Sequence, residues 1–508
     1  MLSTLDFIVL IGYIVAVIWF GLRFSGTQES TTDYFLGGRD LPWWAVCLSI
    51  VATETSTLTV IGIPAVAFGG TLTFLQLTIG YLLGRILVSI FFLPKYMSGD
   101  LVTAYAFLGK RFGPQMQTLS SLTFIGTRLL ADGVRLFATA IPLKVIADAA
   151  GLDIGYPVII VGIGLLTIVY TYFGGLKAVV WMDAVQMILY LVAAVGSILF
   201  LVSALDASAW STLVSSGKLQ ILNFGQEGLR SIITEPYVFW TAVIGGGVFS
   251  MASHGTDHLI VQRLLACRNL RDSQKALVGS AFVVMVQFVL FLLIGSLLWV
   301  YYGGVGFAEL GLSRGDEIFP KFIIDGLPPG VSGLVLAGIL AAAMSTLSSS
   351  LNALASSTLM DVLSHVKWWK ISPESELKAS RWLTLFWGIV FMFFATLFED
   401  RQSPVVELGL SIASFTYGAL LGAFLLGMLN KRAQQADAIF SFTVSVFTMI
   451  LIIFGLWLDA DGSLRFVIGP SAEQVATEGL KAVAWPWYTL IGALITVGLG
   501  SLTAFRHR

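Results

Sequence analysis

Residues 341–357, AAAMSTLSSSLNALASS, set a cluster of hydroxyls and one amide into a run that is otherwise apolar enough to cross a membrane. Ser345, Ser348 or Ser349, and Asn352 recur at spacings of three, four and seven, so most of these oxygens share one helical face. A hydroxyl left unbonded in hydrocarbon costs roughly 2–7 kcal/mol, so the stripe requires a facing helix, water or a bound ion. Hard oxygen ligands point to a hard cation. Asp183, in GGLKAVVWMDAVQ, is the charge best placed to neutralise one; the competing reading is a pair with an arginine, or a serine cluster, that joins helices. Arg128, Asp132 and Arg135 stack at i, i+4 and i+7. One arginine pairs with Asp132, which leaves the other for a solute carboxylate or a helix C-terminus.

Further polar groups cluster at two interruptions. Residues 52–59, ATETSTLT, carry Glu54 and five hydroxyls, Thr57 among them, ahead of Gly62 and Pro64. Residues 245–258, GGGVFSMASHGTDH, combine glycines with Ser250 and His254. Both segments predict unwound helices whose freed backbone groups line a cavity. Glu54 there suits a hydroxyl or an amine of a solute, or caps the break; Gln76 reads a polar solute or joins two helices. The four histidines, His254, His258, His365 and His507, are scattered, and no Ser/His/Asp, HExxH or phosphate-loop pattern occurs. A membrane enzyme is therefore not expected.

The elements that must hold these groups are membrane helices. The chain is 56% apolar and 12% charged, with a mean hydropathy of +0.87, which excludes a water-soluble domain of 508 residues. A net charge of −1 gives no basis for a nucleic-acid partner. Cys47 and Cys267 lack metal-ligand spacing and read as free thiols. Apolar runs predict thirteen spans: 4–23, 42–69, 73–97, 117–147, 155–173, 178–204, 236–256, 276–302, 332–363, 381–399, 404–428, 435–458 and 485–504. An outside N-terminus puts most basic residues, among them Arg23, Arg39, Lys110, Arg111, Arg263, Arg271, Lys367, Lys370, Arg506 and Arg508, in the cytoplasm. Lys144, Lys218, Arg314, Arg401 and Lys481 then lie outside, and the C-terminus is cytoplasmic. With 4–23 set apart, the interrupted spans open two groups of five helices, 42–204 and 236–428, that enter the membrane from opposite sides; 435–504 adds two helices. The expected architecture is one all-α polytopic domain, 1–508, built as an inverted repeat with a midplane solute site.

Five ordered motifs carry a resemblance over nearly the whole chain: DYFLGGRDLPWW (33–44), IGIPA (61–65), GGLKAVVWMDAVQ (174–186), GTDHLIVQRLLA (255–266) and MSTLSSSLNALAS (344–356). Together they resemble the sodium:solute symporter family, most of all its iodide, monocarboxylate and multivitamin branch, with the serine-rich segment shared by sialic-acid symporters. The resemblance implies a leucine-transporter-like 5+5 fold. It implies a sodium site made by the carbonyls of Ala52, Thr55 and Ala342 and the hydroxyls of Ser345 and Thr346. A second sodium is implied at Asp183, Ser345, Ser348 and Ser349, giving one or two ions per cycle. Glu54 departs from the anion-transporting relatives, which carry a neutral residue there.

The reading that follows is a sodium-coupled symporter in the cell membrane that imports a small organic solute by alternating access. Arg128 or Arg135 favours a carboxylate-bearing solute; Glu54, Thr57, Gln76, Ser250 and His254 complete the candidate solute contacts. A neutral sugar or polyol is the alternative solute, and a membrane sensor or channel the alternative class. The expected partners are the solute, sodium and the bilayer, with no obligate protein partner.

Overall fold

The computed structural model describes residues 3–23, 28–99, 101–149, 151–366, 372–397 and 405–507. Lys367, Lys370, Arg401 and Arg508 of the charge pattern lie outside the described residues. The chain runs through α1 (Thr4–Arg23), α2 (Trp43–Glu54), α3 (Thr57–Gly69), α4 (Leu75–Phe91), α5 (Pro114–Ala149) and α6 (Tyr156–Ala204). It continues through α7 (Gly246–Gly255), α8 (His258–Leu265), α9 (Leu270–Tyr301), α10 (Val331–Ser357), α11 (Pro373–Ala395), α12 (Val405–Leu429), α13 (Gln435–Gly455) and α14 (Pro486–Ala504), with shorter helices between. Among the described residues, eight helices are long and apolar enough to cross a membrane, and the bent pair α2–α3 makes a ninth. The protein is a multi-pass helical membrane protein. At 49 residues α6 would extend about 74 Å, more than twice a hydrocarbon core. It is interrupted at Gly175, whose φ of 55° and ψ of −161° are open to glycine alone, between the runs 155–173 and 178–204.

The core is built around α10, nearly every residue of which is buried. A helix this enclosed must satisfy its first amides without water. Asp6 of α1 supplies the acceptor: its Oδ1 takes the N–H groups of Gly330 and Gly333 at 2.8 and 2.7 Å. α1 thus caps the helix that carries the hydroxyl stripe.

The first interruption falls where the sequence places it. α2 ends at Glu54, Thr55 and Ser56 are extended, and α3 leaves at 66° to α2. The second lies at the far end of its segment, 245–258. The glycines 245–247 stay helical, in a π-turn at Thr241–Gly245 and then in α7, and the chain departs from helix only at Thr256 and Asp257. Asp257 then caps α8 by accepting the Leu259 amide at 2.9 Å. The glycines serve close packing instead. A Cβ on Gly80 of α4 would lie 2.6 Å from the Val243 carbonyl oxygen, and one on Gly418 of α12 would lie 2.7 Å from the Gly492 Cα of α14.

Outside the spans, β1 (Leu456–Leu458), β2 (Leu464–Phe466) and β3 (Lys481–Ala482) form a small antiparallel sheet in the order β2-β1-β3. Its turn is tied by Asp459, whose carboxyl is held below the usual carboxylate range by the Arg465 guanidinium at 3.0 Å and by the Ser463 and Asp461 amides.

The Gly80 contact offers a test of this packing. Gly80→Val should destabilise the folded protein by about 1–3 kcal/mol or more through overpacking, read as a lower midpoint in thermal unfolding in detergent. An unchanged midpoint would show that α4 does not approach α7 this closely.

Candidate functional site

Two contacts fix the first break against the stripe. Before the break, Thr53 Oγ1 lies 3.0 Å from Ser349 Oγ; after it, Thr57 Oγ1 donates to the Ile339 carbonyl at 3.4 Å. Residues 54–56 of the break and residues 342–346 of α10 thus lie between the same two anchors. Continued helix would occupy the Ala52 carbonyl with the Ser56 amide and the Thr55 carbonyl with the Thr59 amide. Ser56 is instead extended, and the Thr59 amide bonds Ser56 O at 2.9 Å. On α10, Ser345 Oγ donates to Asp183 Oδ1 at 2.7 Å and Thr346 Oγ1 donates to the Ala342 carbonyl at 3.1 Å. Both hydroxyls spend their proton on an acceptor and keep lone pairs for a cation. The Thr55 hydroxyl likewise donates, to Gln287 Oε1 at 2.8 Å.

Asp183 does not stand as an uncompensated charge. Arg263 Nη2 lies 3.1 Å from its Oδ2, Ser49 donates to that oxygen at 2.6 Å, and the guanidinium also bonds Ser49 at 2.8 Å and Ser349. Both members of the pair are wholly buried. This corrects the cytoplasmic placement of Arg263. Counting apolar residues ends the seventh span at 256, but α8 resumes helix beyond the polar Thr256–Asp257 link and carries Arg263 into the interior. The paired-arginine reading of Asp183 is the one realised. The other proposed second-ion ligands are present around it, Ser348 Oγ donating to the Ser345 carbonyl at 3.0 Å. On the same face Gln262 Nε2 donates to Asn352 Oδ1 at 2.9 Å, a helix-to-helix contact.

Beside the break lies a cavity of about 110 Å³. Its walls include Glu54, Ser56, Arg128, Arg135, His254 and Tyr417, with Phe74, Phe249 and Phe288 among the apolar members. A smaller cavity of about 10 Å³ joins Ser56, Asp132 and Arg135 to Thr346. Charges around the space are matched one to one. Glu54 pairs with Arg85 at 2.6 Å, Arg135 with Asp132 at 2.9 Å, and Arg128 with Asp257. Arg128 also lies 3.5 Å from Asp132 and donates to the Tyr417 hydroxyl at 2.5 Å. The expectation that one arginine of the stack stays unpaired is thereby corrected: Asp257, on the second break, reaches across to Arg128. Arg135 is the more open of the two, 19% exposed against 6%, and the buried Nε of each makes no hydrogen bond among the described residues.

Of the solute contacts expected from sequence, Glu54, Arg128, Arg135 and His254 come together in the cavity, and Thr57, Gln76 and Ser250 lie outside its walls. Thr57 accepts from Thr139 at 2.9 Å. Gln76 uses both ends, donating to Tyr237 O at 2.8 Å and accepting from the Asn223 amide at 3.1 Å. Ser250 donates to Tyr81 O at 3.1 Å. Each satisfies a neighbouring backbone group in an apolar interior, the demand that a hydroxyl or amide there meets first.

The family model for the sodium:solute symporter family matches residues 34–445. The human sodium/iodide cotransporter is 30% identical over 90% of this chain and 71% of its own length. The chain belongs to the sodium:solute symporter family: it is a sodium-coupled solute transporter, not an enzyme. Among its relatives, the sodium/sialic acid symporter NanT of Aliivibrio fischeri is 28% identical, covering 99% of this chain and 93% of that protein. SiaT of Proteus mirabilis, a sodium/sialic acid symporter, is 29% identical over 89% and 90%. A substrate-bound, outward-open structure of a sodium-coupled sialic acid symporter superposes with a TM-score of 0.80 at 25% identity, covering 99% and 98%. Mhp1, a nucleobase-cation-symport-1 transporter, shares the fold at a TM-score of 0.58 and 13% identity, over 94% of each chain.

The buried Asp183–Arg263 pair makes a stability test. Arg263→Ala strands a carboxylate in the interior and should cost about 3–5 kcal/mol, whereas the double variant Asp183→Asn with Arg263→Gln should recover most of it. Denaturant unfolding in detergent measures both; a double variant no more stable than the single one would mean that the pair is not what holds these helices.

Proposed function

We propose that the protein imports a small carboxylate-bearing solute together with sodium. The observation that carries this is a charge count. The sodium ligands, the Ala52, Thr55 and Ala342 carbonyls with the Ser345 and Thr346 hydroxyls, include no net charge, and the charged groups lining the cavity, Glu54, Arg128 and Arg135, are each cancelled by a partner, Arg85, Asp257 and Asp132. A bound sodium therefore lacks a counter-charge until an anionic solute arrives, so each strengthens binding of the other. Arg135, the more exposed of the two and the one that borders both cavities, is the group that receives the carboxylate. Relatives that handle sialic acid and monocarboxylates agree with this class.

The ion supplies the work: each sodium entering down a 100 mV potential contributes roughly 2.3 kcal/mol before its concentration gradient. A second ion at Asp183, Ser345, Ser348 and Ser349 would share Asp183 with Arg263, taking Oδ1, which among the described residues only Ser345 bonds. The transporter is read as thirteen spans, with an outside N-terminus, a cytoplasmic C-terminus and two groups of five, 42–204 and 236–428, between the helix 4–23 and the pair 435–504. The span lengths, the bend in α2–α3 and the break before α8 support that arrangement. Alternating access then rocks the helices of one group against the other, and sodium bridging α2 to α10 favours the outward-open form.

Reconstituted proteoliposomes test the coupling. Uptake should require sodium, and Ser345→Ala with Thr346→Ala should abolish that requirement or the uptake itself; sodium dependence kept intact would refute the site. In the purified protein, carboxylates such as lactate and gluconate should raise the unfolding temperature only with sodium present. Arg135→Gln should weaken that response by about tenfold or more in ligand concentration. A shift given by neutral sugars alone would refute the carboxylate reading.

A further inference from the structure

Glu54 is the one acid of the cavity that keeps an oxygen free. It ends α2 at the break, and its side chain, 21% exposed, borders the cavity. Arg85, fully buried on α4, clamps Oε2 at 2.6 Å and is itself fixed by Ser280 Oγ at 2.5 Å. Among the described residues Oε1 receives no hydrogen bond, while His254 Nε2 stands 3.5 Å from Oε2, buried and without a bond of its own. His254 is held at its other nitrogen by Ser253 Oγ at 2.8 Å. A rigid carboxylate with one vacant acceptor, flanked by an unsatisfied imidazole nitrogen, is poised for a hydrogen-bonding group that this chain does not supply.

We propose that Glu54 is the second recognition point of the cavity and that its Oε1 accepts a hydrogen bond from a neutral O–H or N–H donor on the solute. The transported class is then a hydroxy- or acylamino-carboxylate, not an alkyl carboxylate and not an amino acid. This rests on the carboxylate reading given above, since it concerns the part of the solute that Arg135 does not hold. Charge decides against an ammonium. With Glu54 matched by Arg85 and the solute carboxylate matched by sodium, an ammonium would enter as an uncompensated charge in a largely apolar space. A solute with no donor fails for the opposite reason: it shuts Oε1 away from water and returns nothing, and polar sites reject such analogues strongly.

The test is a set of matched ligands on the purified full-length protein in sodium, with apparent affinity taken from thermal unfolding. Gluconate is compared with hexanoate and 6-aminohexanoate, and lactate with propionate and alanine. The hydroxylated member of at least one set should bind about tenfold or more tightly than both of its partners. Glu54→Gln and Glu54→Asp should each narrow that preference to within about threefold, the aspartate because it keeps the charge opposite Arg85 while withdrawing the oxygen. Should both variants fail to give a folded transition in sodium alone, the wild-type ratios decide. Preference for an amino carboxylate, equal binding of alkyl and hydroxylated carboxylates, or an undiminished preference in the folded variants would overturn this inference and leave the carboxylate reading standing. Absence of a sodium-dependent shift with every carboxylate would overturn both.

Discussion

An ionised group in a membrane interior must meet an opposite charge, and the arrangement of this protein follows from that demand. Arg85 with Glu54, Arg135 with Asp132, Arg128 with Asp257 and Arg263 with Asp183 are four such meetings, and three of them join different helices. Arg263 belongs to α8, Asp183 to α6, and the serines around them to α2 and α10, so a single pair holds four elements at one point. Because each positive charge is cancelled locally, the cavity between these helices is neutral as a whole. That neutrality makes a neutral sodium site consequential, since an added cation is balanced only by an added anion.

The two broken helices apply the same physics to the backbone. A straight α2–α3 would bury its carbonyls in its own hydrogen bonds; stopping at Glu54 and restarting at Thr57 takes the Ala52 and Thr55 oxygens out of the helical ladder. The second break does different work. Asp257 both caps α8 and pairs with Arg128, so the link closes a helix end and completes the charge balance of the cavity. The glycines before it, which looked like the break itself, let α4 and α7 touch backbone to backbone.

Much of this was legible in the residues. The stripe around Ser345, the break near Thr55, the apolar spans, and Glu54, Arg128, Arg135 and His254 as cavity residues could all be picked out by type and spacing. Thr57, Gln76 and Ser250 could not be separated from them, because a hydroxyl or amide in an apolar helix looks the same whether it faces a solute or a neighbouring carbonyl. Arg263 was misplaced for a related reason: a polar Thr-Asp-His link ends an apolar run, and nothing local says that helix resumes beyond it.

By itself the sequence determined the class of the protein, a polytopic membrane carrier, and the helix face on which a cation could bind, since hydropathy and helical period are local properties of a chain in lipid. Tertiary structure alone decided which acid meets which arginine. Glu54 and Arg85 are 31 residues apart, Asp183 and Arg263 80, Arg128 and Asp257 129. Attraction between such charges depends on the distance left after the helices pack and on the water they exclude, and neither quantity exists until the fold is made.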